Sequence, residues 1–207
     1  EAGTIQAKLL VTGVLPDGKI DSVKSANTAT TLGNAAVALG PQTKASDNWV
    51  PTVAVEYFAT PNVSIETICC LTTLHVNAAS PAALAGAELV KHAMILPATV
   101  TLKYHLDAGA IKPYVGVGPS IFFVLGEKPG ADATALGVTR VKMSNSFALA
   151  LQGGVDVPLG DKMGISLDAK RYFVKPTAKF YQGATLALET KHKLDPWVVS
   201  GGVYFRF

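Results

Sequence analysis

From residue 197 to the end, every second position is apolar or small. Trp197, Val199, Gly201, Val203, Phe205 and Phe207 share one parity, while Val198, Ser200, Gly202, Tyr204 and Arg206 share the other. Side chains on a strand point alternately to its two faces. The segment therefore predicts a strand with one apolar, aromatic-ended face and one mixed face. The same alternation predicts strands over residues 5–14, 49–58, 63–77, 93–106, 112–125, 143–157, 163–174 and 194–207. Short turns are expected at residues 59–62, 107–110 and 158–161, where Pro61-Asn62, Asp107, Gly109 and Pro158-Leu159-Gly160-Asp161 supply turn residue types. Longer loops fill residues 15–48, 126–142 and 175–193 and the connection after residue 77. In that connection Ser80 suits a helix N-cap and Pro81 a first helical position.

The two faces differ in a consistent sense. One carries Ile5, Leu9, Val11, Val53, Val55, Tyr57, Ile65, Val100, Leu102, Tyr104, Val115, Val117, Leu149, Leu151 and Leu167, with almost no charge. The other carries Gln6, Lys8, Glu56, Ser64, Glu66, Thr101, Lys103, His105, Tyr114, Gly116, Gln152, Asp156, Asp168, Lys170 and Arg206. A soluble barrel would turn the apolar face inward. Here the polar face is also rich in glycine and small residues, which suits a crowded lumen. Tyr57, Tyr104, Phe205 and Phe207 lie near strand ends on the apolar face, as an interfacial girdle would.

Composition narrows the choice. The chain of 207 residues is 49% hydrophobic but only 16% charged, against roughly 25% charged in an ordinary globular domain. No stretch approaches the ~18 consecutive apolar residues of a membrane helix; residues 67–87, the longest uncharged run, contain His75, Asn77, Ser80 and Pro81. Lipid offers no partner to backbone amides, so a membrane chain without such helices must close into a barrel. The expected fold is all-β: an eight-stranded antiparallel up-and-down transmembrane β-barrel, one domain over residues 1–207, with both termini on the periplasmic side and the signal peptide already removed. The net charge of +3 is spread thinly and gives no nucleic-acid footprint. Cys69 and Cys70 are adjacent, point to opposite faces of a strand and read as small apolar fillers. Neither a cofactor nor a metal site is expected.

Several blocks carry a family resemblance. They are Leu96-Pro97-Ala98-Thr99-Val100-Thr101-Leu102-Lys103-Tyr104-His105-Leu106, Lys112-Pro113-Tyr114-Val115-Gly116-Val117-Gly118, Leu151-Gln152-Gly153-Gly154-Val155-Asp156, Leu167-Asp168-Ala169-Lys170-Arg171 and Asp195-Pro196-Trp197-Val198-Val199. Together they make the chain similar to the outer-membrane protein W family, which includes AlkL-like alkane importers. The resemblance implies an eight-stranded barrel of the Gram-negative outer membrane, with a narrow apolar channel that does not run straight to the periplasm. It also implies uptake of small hydrophobic molecules with lateral release into the bilayer. The partners implied are membrane lipid, lipopolysaccharide, a small hydrophobic solute and, during biogenesis, the barrel-assembly machinery.

Three constellations are candidates for function. Lys8, Glu56, Glu66, Lys103, His105, Asp156, Asp168, Lys170 and Arg206 all have inward parity and cluster toward the short-turn end. Charges in a narrow lumen must be paired or hydrated, so these predict an ion-paired plug; simple filling of the lumen would serve the same residues. Above them Leu10, Val14, Ile68, Leu74, Phe122, Tyr172 and Val198 are expected to line an apolar channel. Pro51, Pro97 and Pro119 interrupt strand patterns. Pro97 is the candidate for a lateral opening, because a proline gives the ladder no donor; a tolerated bulge is the simpler account. Arg171 breaks the apolar parity near the outer interface, where snorkelling or a lipopolysaccharide phosphate would accommodate it. Catalysis is not expected: His105 and Ser120 share parity but not depth, and His75, His92 and His192 have no metal-ligand spacing. A structural, adhesion or phage-receptor barrel is the alternative to transport.

Overall fold

The computed structural model describes residues 2–15, 19–39, 42–45, 47–69, 72–80 and 88–207; within these, the side chains of residues 19, 39, 42–45, 69, 72–80, 89, 92 and 93 are left aside. Strands β1 (Ile5–Leu15), β4 (Asn48–Phe58), β5 (Val63–Cys69), β7 (Glu88–His105), β8 (Lys112–Pro129), β10 (Ser146–Pro158), β11 (Met163–Phe173) and β14 (Trp197–Arg206) pair antiparallel in a sheet that β7 and β8 close on itself. This is the eight-stranded antiparallel barrel. The ends of the chain complete the seam: the Ile5 amide donates to the Phe207 carbonyl at 3.2 Å and the Phe207 amide to the Ile5 carbonyl at 2.9 Å. Closure leaves no open edge, which is what a lipid environment demands of a sheet.

Alternation sets the two surfaces. Leu9, Val11, Val100, Leu102, Val115 and Leu167 stand exposed on the outside, whereas Gln6, Glu56, Ser64, Asp156 and Ser166 have no accessible surface. An apolar exterior around a charged interior is the inverse of a soluble barrel. Tyr57, Tyr104 and Phe207 ring the end with short turns, and Trp49, Phe147, Phe173 and Trp197 ring the other, all exposed.

At that second end the structure differs from the expected loops. The strand predicted over residues 63–77 is two strands, β5 and β6 (Thr72–Ser80), both paired to β7, and β6 also carries β3 (Gln42–Ala45). The segments read as loops contain β2 (Lys19–Ala26), β9 (Arg140–Met143), β12 (Thr177–Gln182) and β13 (Thr185–Lys193), which form a second, four-stranded sheet in the order β2-β13-β12-β9. Two helices join them, α1 (Thr31–Leu39) and α2 (Ala131–Ala135). Thr30 caps α1 by accepting from the Gly33 amide at 3.1 Å. One face of this sheet, with Val141, Ala178, Phe180 and Leu188, packs with Leu32 and Ala36 of α1 and Ala133 of α2 in a small core. Ser80 ends β6, and the helix start expected at Pro81 lies outside the described residues.

Candidate functional site

The lumen has a charged floor toward the short-turn end. Glu56 and Glu66 are directly opposed on β4 and β5, a pairing that like charges make unfavourable. Two ammonium groups occupy the space between them. Lys103 Nζ lies 2.9 Å from Glu56 Oε1 and 3.0 Å from Glu66 Oε2. Lys8 Nζ lies 2.9 Å from Glu56 Oε2 and 3.0 Å from Glu66 Oε2. The Lys8–Glu56 approach is an ionic contact without hydrogen-bond alignment, since neither of those two atoms has an aligned partner. Lys170 Nζ adds contacts of 3.2 Å to Glu66 Oε1 and 2.6 Å to Asp168 Oδ1.

Neutral side chains complete the floor. Gln152 Nε2 donates to Glu66 at 2.9 Å and to Asp168 at 2.6 Å. Tyr114 donates its hydroxyl to Asp168 at 2.7 Å, and its ring lies under Lys103 with Nζ 3.7 Å from the centroid. Asp156 accepts from Gln6 at 3.0 Å and Ser166 at 2.7 Å. Arg206 Nε donates to the Gln6 side-chain Oε1 at 2.6 Å, and the guanidinium packs over Phe58 and Tyr204. It therefore reaches Asp156 through Gln6. His105 Nε2 lies 2.8 Å from Glu56 Oε1 and 2.9 Å from Ser64 Oγ. In a hydrolytic triad the acid holds one imidazole nitrogen and the hydroxyl meets the other. Here both meet the same nitrogen, so the trio is an anchoring cluster without triad geometry.

Above the floor the lumen turns neutral. Thr12 and Ser200 share a hydrogen bond of 2.8 Å, and Thr99 bonds Ser120 at 2.7 Å and the Tyr172 hydroxyl at 3.2 Å. Next comes an apolar cavity lined by Val14, Ile68, Pro97, Phe122, Tyr172, Pro196 and Val198, with a volume of about 20 Å³. That is room for about one water molecule. Phe122 and Tyr172 meet edge to face across it at 5.2 Å and 87°. Leu10 lies below, packed with Ala54 and Ile68. Leu74 is in β6, its backbone opposite Ala93, and its side chain is outside the described residues. Pro97 is buried at a change of partners: β7 pairs with β5 at Thr99–Ile68 and with β6 at Ile95–Thr72, and Pro97 falls between.

Among the described residues, no group of three His, Cys, Asp or Glu side chains is arranged to hold a metal ion. The arrangement places a layer of buried ion pairs at one end of the lumen and an apolar chamber beyond. The sequence matches the OmpW family over residues 1–207.

The chain belongs to the OmpW family.

It is an outer-membrane β-barrel. It is 34% identical over 165 residues to an outer-membrane protein of Sinorhizobium fredii, a match that spans 78% of this chain and 67% of that protein. Two solved structures share its fold over the whole chain. OprG of Pseudomonas aeruginosa superposes with a TM-score of 0.79 at 19% identity, covering 97% of that protein. AlkL in DMPC lipid bilayers superposes with a TM-score of 0.73, also at 19% identity, covering 91%.

Within this OmpW-family barrel, sequence reasoning placed Tyr114 and Gln152 inside but gave them no role, and it passed over Pro196. Tyr114 had a readable signal. It faces Gly154 across β8 and β10, and a Cβ at Gly154 would run into the Tyr114 hydroxyl. An inward glycine opposite an inward aromatic marks a side chain laid across the lumen. Gln152 had none, because its bonds to Glu66 and Asp168 depend on the reach across the barrel.

Proposed function

We propose that this barrel is a channel for passive uptake of small hydrophobic molecules, entered from the extracellular side and closed toward the periplasm by the ion-paired floor. The orientation follows the usual one for such barrels, with short turns and termini periplasmic and the four-stranded sheet extracellular. The observation that carries the reading is the order of the layers: an apolar chamber, then a neutral layer of Thr12, Thr99, Ser120 and Ser200, then a floor whose every lysine is held by two or more carboxylates.

A solute that reaches the chamber meets buried charge below it. Moving down would cost the broken pairs, so the favourable exit is sideways into lipid. Pro97 supports a place for that exit, since it lines the chamber and gives the ladder no N–H donor. The chamber's small volume means that Phe122 and Tyr172 must swing apart for a solute to pass. The remaining reading is a structural or adhesion barrel, which the filled lumen also suits.

Uptake of a radiolabelled apolar solute into proteoliposomes separates the two. Phe122→Asp places a charge in the chamber and should abolish uptake while the barrel still migrates as a folded species in the gel. Uptake equal to wild type would remove the chamber from the pathway. Pro97→Ala should slow release; normal uptake would move the exit elsewhere.

A further inference from the structure

The outer side of the four-stranded sheet has no role in that channel, yet its charge is unusual. Strand alternation buries Ala178 and Phe180 of β12, Leu188, Thr190 and His192 of β13 and Val141 of β9. The opposite face presents Arg140, Lys142, Lys179, Lys191 and Lys193, with Glu189 among them. Lys142 and Lys179 are directly opposed across β9 and β12, an arrangement that costs stability unless an anion lies between. Glu189 neutralises Lys179 only weakly, at 3.7 Å, and Asp195 stands 3.5 Å from Lys193. Arg140 packs over Tyr181 at 4.5 Å, which leaves its guanidinium edges open.

This face continues into the lipid-facing wall. Chain parity runs unbroken from Arg171 through exposed Phe173 and Lys175 to Lys179. On the neighbouring strand Lys191 and Lys193 lead down to Trp197, whose ring lies 5.3 Å from the Arg171 guanidinium. At no more than about 3.3 Å per residue, Lys175 and Lys179 lie up to roughly 13 and 26 Å along the chain from Arg171, past the break between β11 and β12 at residues 174–176. Lys175 is paired with Asp21 at 3.4 Å, so the cations that rise from the aromatic ring at the upper membrane boundary with weak or no carboxylate contact among the described residues are Arg171, Lys191, Lys179 and Lys142.

We propose that this surface binds the phosphorylated head group of an outer-leaflet glycolipid, with Arg171 at the membrane boundary and Lys142, Lys179 and Lys191 on the groups above it. The glycolipid is the occupant because the cations are continuous with the surface that lipid already covers; a soluble polyanion would need no such continuity. The site rests on the extracellular orientation of the sheet and is independent of whether the barrel transports a solute.

The test uses the whole chain in zwitterionic detergent micelles, with binding of rough lipopolysaccharide, which carries a phosphorylated core oligosaccharide above its lipid A, read by native mass spectrometry. Wild type should bind it in preference to the same lipopolysaccharide with its core phosphates removed. Replacing Lys142, Lys179 and Lys191 together by Ser should weaken binding roughly tenfold or more, and replacing the three by Arg should restore it. Lys91→Ser with Lys128→Ser, exposed lysines outside this sheet, should change nothing. Equal binding by the triple Ser variant, or by the lipopolysaccharide without core phosphates, would overturn the proposal. So would tighter binding of dextran sulfate at the same lysines, which would make the ligand a soluble polyanion.

Discussion

The lower and upper halves of the lumen are built by the same strands with the same parity, yet they solve burial in opposite ways. Below, Lys8, Lys103 and Lys170 share Glu56, Glu66 and Asp168, so each lysine is held by at least two carboxylates. Above, the buried groups are neutral, and an apolar cavity of about 20 Å³ is lined by the aromatic pair Phe122 and Tyr172. Ion pairs in a dry interior are held by geometry, because a displaced partner leaves an uncompensated charge. Apolar contacts are non-directional and can repack at small cost. The floor is therefore suited to staying shut and the chamber to changing shape.

Removing the most shared carboxylate should break this contrast most severely. Glu66 touches Lys8, Lys103 and Lys170, so Glu66→Ala should cost about 3–5 kcal/mol in reversible urea unfolding from lipid vesicles. A loss below about 1 kcal/mol, the level of an exposed pair, would mean that water reaches the floor and that it is no plug.

Acid should act on the upper half next. His192 is buried in β13, its Nε2 2.8 Å from the Thr190 hydroxyl, and burial pushes its pKa down from 6.5 to about 4. The folded sheet therefore keeps the imidazole neutral while the unfolded chain takes up a proton below about pH 6.5. This stabilisation is complete above pH 6.5, is lost progressively down to about pH 4, and is constant below that. The full loss is on the order of 3 kcal/mol. Amide protection factors in β12 and β13, taken against the intrinsic exchange rate at each pH, should fall over that window, and His192→Gln should remove the dependence.

A smaller effect tests how closely the floor is packed. Gly154→Ala would drive a methyl group into the Tyr114 hydroxyl and the Leu167 carbonyl, for about 1–3 kcal/mol of overpacking. Thermal melting of the folded band in gel-shift assays would register it, and an unshifted melting point would show that Tyr114 can move aside. Smallest should be Thr99→Val, which leaves Ser120 and Tyr172 without their shared partner at roughly 1–2 kcal/mol. The same melt, set beside the Glu66 variant, then measures neutral against charged layers directly.

Which of these features could be read beforehand depends on their range. The inward parity of Glu56, Lys103 and Asp168 was visible because a strand repeats every two residues, whatever lies around it. The second sheet was missed although Thr177–Gln182 and Thr185–Lys193 also alternate. Their outward positions are mostly lysine, threonine and glutamate, so the apolar signal rests on Ala178, Phe180, Tyr181 and the run Leu186-Ala187-Leu188, which breaks the alternation. Gly183, in the positive-φ region at 61°, was the hairpin cue between them.

Taken alone, the order of residues determined that strands would form, that they would close, and that charge would face inward against lipid outside. These follow from local alternation and from the lack of backbone partners in a bilayer. Only the tertiary structure decided who meets whom: Gln6 with Asp156, 150 positions apart, Arg206 with Gln6 at a separation of 200, and Pro196 beside Phe122 in the chamber. Such partners are set by how the staves are staggered around the barrel and how far each side chain reaches across it, quantities that no short stretch of chain contains.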